Sequence, residues 1–120
     1  MIEIISGTPD NILAVTAHGT VTAQDYDNVL LPAVDDVLKR HKKIRFLFRT
    51  AKDFSGYTAG AMWGDAKLGV RHLTAFEKIA VVSDVPWLVQ ATRLFRFLIP
   101  CPVKVFIGQK LPDAEAWIRE

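Results

Sequence analysis

The apolar and polar positions of this chain follow two alternating periods. Segments with period 2, or with a short continuous apolar run, predict strands, and segments with period 3.6 predict helices. The predicted strands are residues 2–6, 12–19, 44–50, 77–83 and 103–107. The predicted helices are a first one that begins at residue 22, followed by residues 58–72, 86–99 and 112–119.

The resulting element order is ββαβαβαβα, which predicts an α/β fold. Strands that alternate with long helices form right-handed βαβ units, so the sheet is expected to be mostly parallel, with helices packed against it. The leading hairpin adds one antiparallel strand and makes a mixed five-stranded sheet. The chain shows no repeat or linker, so residues 1–120 are predicted to form one domain.

The first helix has a clear start signal and an interruption. Thr22 and Asp25 stand at the spacing of a capping box, in which each side chain accepts a hydrogen bond from the backbone N–H of the other residue. Pro32 lies inside the helical pattern. Because proline has no N–H to donate to the preceding turn, a kink is predicted there.

The helix predicted over residues 58–72 is intrinsically weak. It contains Gly60, Gly64 and Gly69, and each glycine costs roughly 0.8–1 kcal/mol relative to alanine inside a helix. Packing alone would then hold this helix in place. Two interpretations follow: small residues allow a close approach between helices, or the helix is a lid that can shift.

The stretch of residues 87–107 is the most informative part of the chain. It is apolar except for Gln90, Thr92, Arg93, Arg96 and Lys104, and it contains no acid. An apolar helix with arginines must lie against a core, a ligand, a partner or a membrane surface.

The helices predicted over residues 58–72 and 86–99 each have a large apolar residue outside their apolar face. Leu68 and Phe97 stand among basic residues instead, an arrangement that suits the surface of an anionic membrane. The alternatives are a dimer interface and ordinary single exposed apolar residues.

Composition narrows the functional classes. Half of the residues are hydrophobic, and the formal charge of +2 is too small to indicate nucleic-acid binding. Cys101 is the single cysteine, which excludes an internal disulfide and favours a reducing cytosolic setting. No signal peptide and no apolar run of about 18 residues is present. We therefore expect a cytoplasmic protein that can touch the inner face of a membrane without crossing it.

The sequence shows no clear catalytic or metal-binding pattern. His18, His41 and His72 lack metal-ligand spacing, and no base is placed near Cys101. Neither a glycine-rich phosphate loop nor a nucleophile elbow occurs. We therefore predict a protein that is not an enzyme and has no cofactor or metal.

Ser55 is a candidate phosphorylation site. It follows the third predicted strand and precedes a predicted helix, where free N–H groups and the helix dipole favour a phosphate. The carboxyl ends of parallel strands are also where functional residues gather. The alternative is an ordinary turn serine or helix cap.

The whole chain resembles the SpoIIAA-like family, a branch of the STAS superfamily related to the CRAL-TRIO lipid-binding fold. The order and spacing of several segments carry the resemblance. They are Thr22-Ala23-Gln24-Asp25-Tyr26, Leu31-Pro32-Ala33, Trp63-Gly64-Asp65-Ala66-Lys67-Leu68-Gly69, Phe76-Glu77-Lys78-Ile79-Ala80-Val81-Val82-Ser83-Asp84, Trp87 and Ala114-Glu115-Ala116-Trp117-Ile118.

The resemblance implies a bacterial, non-enzymatic binder of nonpolar ligands or lipids whose second and third helices can open, with contact to the membrane periphery. The related antagonists of anti-sigma factors carry a D-S-S-G phosphoacceptor motif. In this chain the corresponding residues are Asp53, Phe54, Ser55 and Gly56, so one serine is replaced and only Ser55 is carried over.

Three hypotheses of function remain open: a module that binds a nonpolar small molecule or lipid, a regulatory protein-interaction domain switched at Ser55, and a structural homodimer. The first predicts a pocket between the second and third helices and a membrane-contact surface beside it. The predicted pocket residues are Met62, Trp63, Trp87, Leu94, Phe95 and Leu98. The predicted membrane-contact residues are Lys67, Leu68, Arg71, Arg93, Arg96 and Phe97.

Overall fold

The structure is a computed structural model that describes residues 1–61 and 73–120. Its strands are β1 (Ile2–Ile4), β2 (Ile12–Ala17), β3 (Thr20–Val21), β4 (Ile44–Thr50), β5 (Gly56–Tyr57), β6 (Phe76–Val82) and β7 (Val103–Phe106). The α-helices with both ends described are α1 (Ala23–Asp25), α2 (Leu31–Arg40), α3 (Pro86–Phe95) and α4 (Leu111–Arg119).

The main sheet has five strands in the order β1-β2-β4-β6-β7. β1 pairs antiparallel with β2, and every other neighbouring pair is parallel. This confirms the predicted mixed, mostly parallel five-stranded sheet. The pattern did not predict β3 and β5, which pair in parallel as a separate two-stranded sheet. Two residues are too short a segment to show a period.

The first helical segment adopts the predicted capping box and accommodates its proline. The side chain of Thr22 accepts a hydrogen bond from the backbone N–H of Asp25, and the Thr22 N–H donates to Asp25 Oδ2 at 2.7 Å. Between α1 and α2 lies a π-helical turn, Tyr26–Leu30, in which the Leu31 N–H donates to the Tyr26 carbonyl. The wider turn changes the hydrogen-bond register just before Pro32, so the predicted interruption takes the form of a π-bulge.

Two cores lie on opposite faces of the sheet. One contains Val15, Phe46 and Phe48 from the strands, packed against buried residues such as Leu30 and Val34 of the first helical segment. α2 packs on this face. Right-handed crossovers that proceed in one direction across a parallel sheet place their helices on the same face.

The opposite core is smaller and is covered by α4. Ala114 and Ile118 of α4 pack against Ala14, Leu47 and Val82 of the sheet. Two cations from the sheet cover the carboxyl end of α4. An Arg45 guanidinium nitrogen donates to the Ile118 carbonyl at 2.9 Å, and Lys78 Nζ donates to the Trp117 carbonyl at 3.1 Å. Positive charge at a helix C-terminus is favourable because it opposes the helix dipole.

The carboxylate of Asp25 in the capping box should make the free energy of unfolding depend on pH. Partial burial pushes the pKa of Asp25 upward, but hydrogen bonds from the Thr22 N–H and hydroxyl, together with the terminal amine, hold it below its ordinary value of 3.8. A lowered pKa in the folded state stabilises the fold above pH 3.8, and this contribution is lost as the pH falls through the folded pKa. We expect Asp25→Asn to lower the free energy of unfolding by about 1 kcal/mol at neutral pH.

The measurement is urea unfolding at pH 7 and again well below pH 3.8. The difference between wild type and Asp25→Asn should shrink at the acidic pH, because both side chains are then uncharged. Asp27→Asn, at an exposed position two residues away, is the matched control and should have little effect. A difference of equal size at both pH values would contradict the assigned role of the Asp25 charge.

Candidate functional site

α3 begins at a proline, and a second proline follows a short turn after its end. Val85, in an extended conformation, precedes the helix, and Pro86 occupies its first turn, where a missing N–H costs nothing. α3 ends at Phe95 and continues as a 3₁₀ turn, Arg96–Leu98. The predicted helix extended to Ile99, but the residue before a proline disfavours the α conformation, and Pro100 follows Ile99.

The outer side of α3 is apolar and exposed. Leu94 is 69% exposed, Phe97 81% and Leu98 70%. Leu88 is partly buried and packs against the larger core, so it helps to attach α3 to the sheet. Phe97 lies outside the packed side of the helix, as its position on the helical wheel indicated. Leu94 and Leu98 were expected to line a pocket; both are exposed, and their role in a pocket stays a prediction.

Two arginines flank this apolar surface. Arg93 and Arg96 are both exposed, and the Arg96 guanidinium carbon lies 5.2 Å from the centroid of the Phe97 ring. A guanidinium near an aromatic ring makes a cation–π contact, which keeps the charge and the ring side by side. The end of α3 therefore presents large apolar groups and positive charge together.

An aromatic cluster surrounds the beginning of α3. The Trp87 ring centroid lies 5.9 Å from that of Tyr57 and 6.3 Å from that of Phe54, and Tyr57 also stacks on Phe48 at 6.5 Å. Trp87 remains 49% exposed. Of these four residues, sequence reasoning selected only Trp87. The others come from β4, β5 and the loop between them, so no local pattern could have joined them.

Ser55 lies in the loop that supplies part of this cluster. Its backbone N–H donates to the Gly19 carbonyl at 2.7 Å, and its exposed hydroxyl donates to the Asp53 carbonyl at 3.3 Å. The next residue, Gly56, has a φ of 140°, a backbone conformation that residues other than glycine rarely adopt.

The helix after this loop begins within one residue of its predicted start at Thr58. Thr58 Oγ1 accepts a hydrogen bond from the Ala61 N–H at 3.1 Å, and residues 59–61 are helical. β5 therefore separates Ser55 from the first helical turn. Phosphorylation of Ser55 stays a prediction.

His18 joins the same loop to the antiparallel edge of the sheet. Its Nε2 lies 3.1 Å from a Glu3 carboxylate oxygen, and its Nδ1 lies 3.3 Å from a carboxylate oxygen of Asp53. Both partners are acidic, so a protonated imidazole would be attracted to each. This contact ties Asp53, two residues before Ser55, to β1.

A buried polar group lies where β4 and β6 end. Ser83 is 1% exposed, and its hydroxyl accepts hydrogen bonds from Thr50 Oγ1 at 2.8 Å and from the Val85 N–H at 3.1 Å. Beside it, the Gly108 N–H donates to Asp84 Oδ1 at 2.9 Å. These contacts fix the turn that leads into α3. They satisfy polar groups that would be costly to bury alone, so their role is structural.

Several predicted site residues lie outside the described part of the chain. These are Met62, Trp63, Lys67, Leu68 and Arg71, and the description of Phe95 is limited to its backbone. Among residues 1–61 and 73–120, no three His, Cys, Asp or Glu side chains are grouped so that they could hold a metal ion. Within the same residues, no helix is both long and apolar enough to cross a membrane.

Cys101 does not have the environment of a nucleophile. It is partly buried against the larger core, and burial raises the pKa of its thiol, an effect that the Lys43 charge only partly opposes. Because the thiolate is the reactive form, a raised pKa makes a cysteine less reactive at neutral pH.

We expect Cys101 to react slowly with a thiol-specific disulfide reagent at pH 7 in the native protein, and faster once urea has unfolded the chain. Unfolding exposes the sulfur and removes the effect that raises its pKa. The colour released by the reagent measures the rate, and Cys101→Ser should release none, since the chain has no second cysteine. A native rate above the unfolded rate would contradict this assignment and indicate an activated thiol.

No curated protein matches this chain. An uncharacterised protein from Shewanella loihica PV-4, whose crystal structure has a SpoIIAA-like fold, is 28% identical; the match covers 98% of this chain and 92% of that chain, with a TM-score of 0.78. The model of the SpoIIAA-like family matches residues 12–119, almost the full length. The chain therefore belongs to the SpoIIAA-like family, which confirms the resemblance.

Proposed function

We propose that this protein is a non-enzymatic binding module that takes a nonpolar ligand or a lipid at the outer surface of α3. The observation that supports this proposal is the exposure of Leu94, Phe97 and Leu98 within two turns of chain. Single exposed apolar residues are ordinary, but a group of large ones on a surface marks a site of interaction.

Binding energetics favour a nonpolar occupant. Complete burial of one leucine or phenylalanine side chain is worth roughly 1.5–3 kcal/mol, so a ligand that covers all of this surface gains several kcal/mol before the cost of association is subtracted. Residues 85–107 carry no acidic side chain that would have to be desolvated on contact. An apolar tail could therefore lie along α3 without burying a negative charge.

The aromatic cluster extends this surface to the other end of α3. Trp87 is half exposed and is held in place by Phe54 and Tyr57. A rigid aromatic side chain offers a large contact area at a low cost in conformational entropy. That Met62 and Trp63 form a second wall of the site remains part of the proposal.

The first test is native mass spectrometry of protein purified without detergent, followed by organic extraction. We expect a co-purifying fatty acid, quinone or lipid, and we expect Leu98→Asp to lose it, since a charge would be placed in the contact surface. Ile107→Asp is the matched control, because Ile107 is also exposed, at 51%, but lies just beyond β7 rather than on α3.

Two outcomes would contradict the ligand proposal. One is a clean mass for the wild-type protein together with no uptake of oleic acid added below its micelle concentration. The other is a dimer, detected by light scattering, that Leu98→Asp converts to a monomer without any ligand being involved. That result would favour the structural homodimer.

A second candidate function is regulation by phosphorylation of Ser55. The supporting observation is that its hydroxyl is exposed, in a loop packed through Phe54 against Trp87 at the start of α3. A phosphate adds roughly −1.5 to −2 charges and would lie near the Asp53 carboxylate, so repulsion would disturb this loop. The change would then reach the proposed binding surface.

We expect intact protein from the native cell to show a phosphorylated fraction that Ser55→Ala removes. Thr58→Ala serves as the control because its hydroxyl caps the adjacent helix rather than facing solvent as a phosphoacceptor. Tandem mass spectrometry assigns the modified residue. An unmodified Ser55 in every growth condition would count against the regulatory function and leave the ligand proposal standing.

A further inference from the structure

The outer side of β7 is an open strand edge. β7 stands last in the sheet order, and β6 is its only strand neighbour within residues 1–61 and 73–120. The carbonyls of Pro102 and Phe106 each accept a hydrogen bond at 3.0 Å from the β6 segment. Because backbone groups alternate in direction along a strand, those of Val103 and Val105 point away from β6. The N–H and carbonyl groups of these two valines therefore form a template for one more strand.

β7 has a composition that favours strand pairing. Its sequence is Val-Lys-Val-Phe, and both valines are half-buried, so they have apolar area left for contact with a partner strand. Val103 pairs in register with Ile79, which packs on the larger core, so the valines lie on the same face as α3. β1, the other outer strand, has only three residues and offers a shorter template.

Two lysines make the opposite face of this edge positive. Lys104 pairs in register with Ala80, so its side chain lies on the face that α4 covers. Its Nζ lies 5.3 Å from the centroid of the Trp117 ring, and Lys78 Nζ lies 4.8 Å from the same centroid. Two ammonium groups that share one ring are like charges, so an acidic group beside them would be favourable.

The acids of the neighbouring segments are paired with other cations. Glu77 of β6 binds Arg45 at 2.7 Å, and Asp113 of α4 lies 4.0 Å from Lys110. The chain has no acidic residue from 85 to 112, which includes all of β7 and its flanking turns. Among the residues that the structure describes, the two lysines over Trp117 form no ion pair. The edge of β7 therefore carries positive charge that a partner can neutralise.

We propose that β7 binds an extended, acidic segment of a partner protein, which joins the sheet as one more antiparallel strand. Alternate residues of this segment would hydrogen-bond to Val103 and Val105, and their apolar side chains would lie beside the valines. The residues between them would be acidic and would lie on the other face, opposite Lys104. This inference goes beyond the proposed function, because it concerns a strand edge rather than the outer surface of α3.

A second copy of this chain fits the edge less well than an acidic partner. Two antiparallel β7 strands would bring the Lys104 side chains of both copies directly or diagonally opposite each other, and like charges across a strand pair are destabilising. A lysine on an outer strand discourages such self-pairing. An acidic segment gains a cross-strand ion pair at the same position, so charge complementarity selects it.

The test uses two labelled synthetic peptides with blocked ends, each of about eight residues, a common strand length. One alternates valine and glutamate, and the other alternates valine and lysine. Fluorescence anisotropy should show binding of the glutamate peptide only, with weaker binding at high salt. Lys104→Gln should weaken this binding by up to about fivefold, the size of one cross-strand charge pair. Lys52→Gln removes the same charge from an exposed loop after β4 and should leave the affinity unchanged.

Methylated peptides test the backbone pairing without any change to the protein. Methyl groups on the valine nitrogens remove the donors that face Val103 and Val105, so binding should be lost. Methyl groups on the glutamate nitrogens point away from β7 and should leave binding in place.

Proline substitutions test the same pairing from the side of the protein. Val105→Pro removes an outward N–H and should weaken binding of the glutamate peptide by about two- to tenfold, the net value of one hydrogen bond. Ile4→Pro is the matched control, because the Ile4 N–H points away from β2 on the other outer strand. It should leave binding unchanged. Far-ultraviolet circular dichroism and urea unfolding check that both variants are folded.

Several outcomes would overturn strand addition at β7. They are equal binding of the two peptides, failure of the glutamate peptide to bind at millimolar concentration, and equal effects of the two methylation patterns. A dimer that Val105→Pro dissociates, in protein that binds no peptide, would replace the partner segment by a second copy. Val105→Pro should also retain any ligand that Leu98→Asp loses, so this inference and the ligand proposal can fail separately.

Discussion

The pairing of β4 along both of its edges is the constraint on which the other features depend. β4 hydrogen-bonds to β2 on one side and to β6 on the other, and its side chains alternate between the two faces. Phe46 and Phe48 enter the larger core, and Leu47 enters the smaller one. A shift of one residue would exchange the two sets and unpack both cores. This register fixes the positions of α2 and α4 on the two faces.

Much of the fold was predictable because long elements repeat their pattern several times. β4 matched its predicted bounds, and the capping box of Thr22 and Asp25 marked the start of the first helix correctly. The errors lie where one local rule competes with another. Pro32 follows a π-helical turn that changes the hydrogen-bond register, and α3 ends at Phe95 and tightens into a 3₁₀ turn before the predicted end at Ile99.

The site was less predictable, because a helical wheel shows that a face is apolar without showing what covers it. Leu88 and Leu94 share the apolar arc of α3, yet Leu88 packs against the sheet and Leu94 is exposed. The aromatic cluster depends on segments that are distant in sequence. Only the strand order brings Tyr57 to Trp87, or Lys43 to Cys101.

The two ends of α3 lie at opposite edges of the sheet. The helix therefore connects the loop that contains Ser55 with the exposed apolar residues that follow α3. At its start, Trp87 packs against Phe54 and Tyr57, which flank Ser55 in sequence. At its end, Phe97 and its neighbouring cations face outward. A helix of ten residues is about 15 Å long, so α3 spans the distance between Trp87 and the 3₁₀ turn that carries Phe97. Between these ends, Leu88 packs against the larger core, so α3 is tied to the sheet as well as to the aromatic cluster.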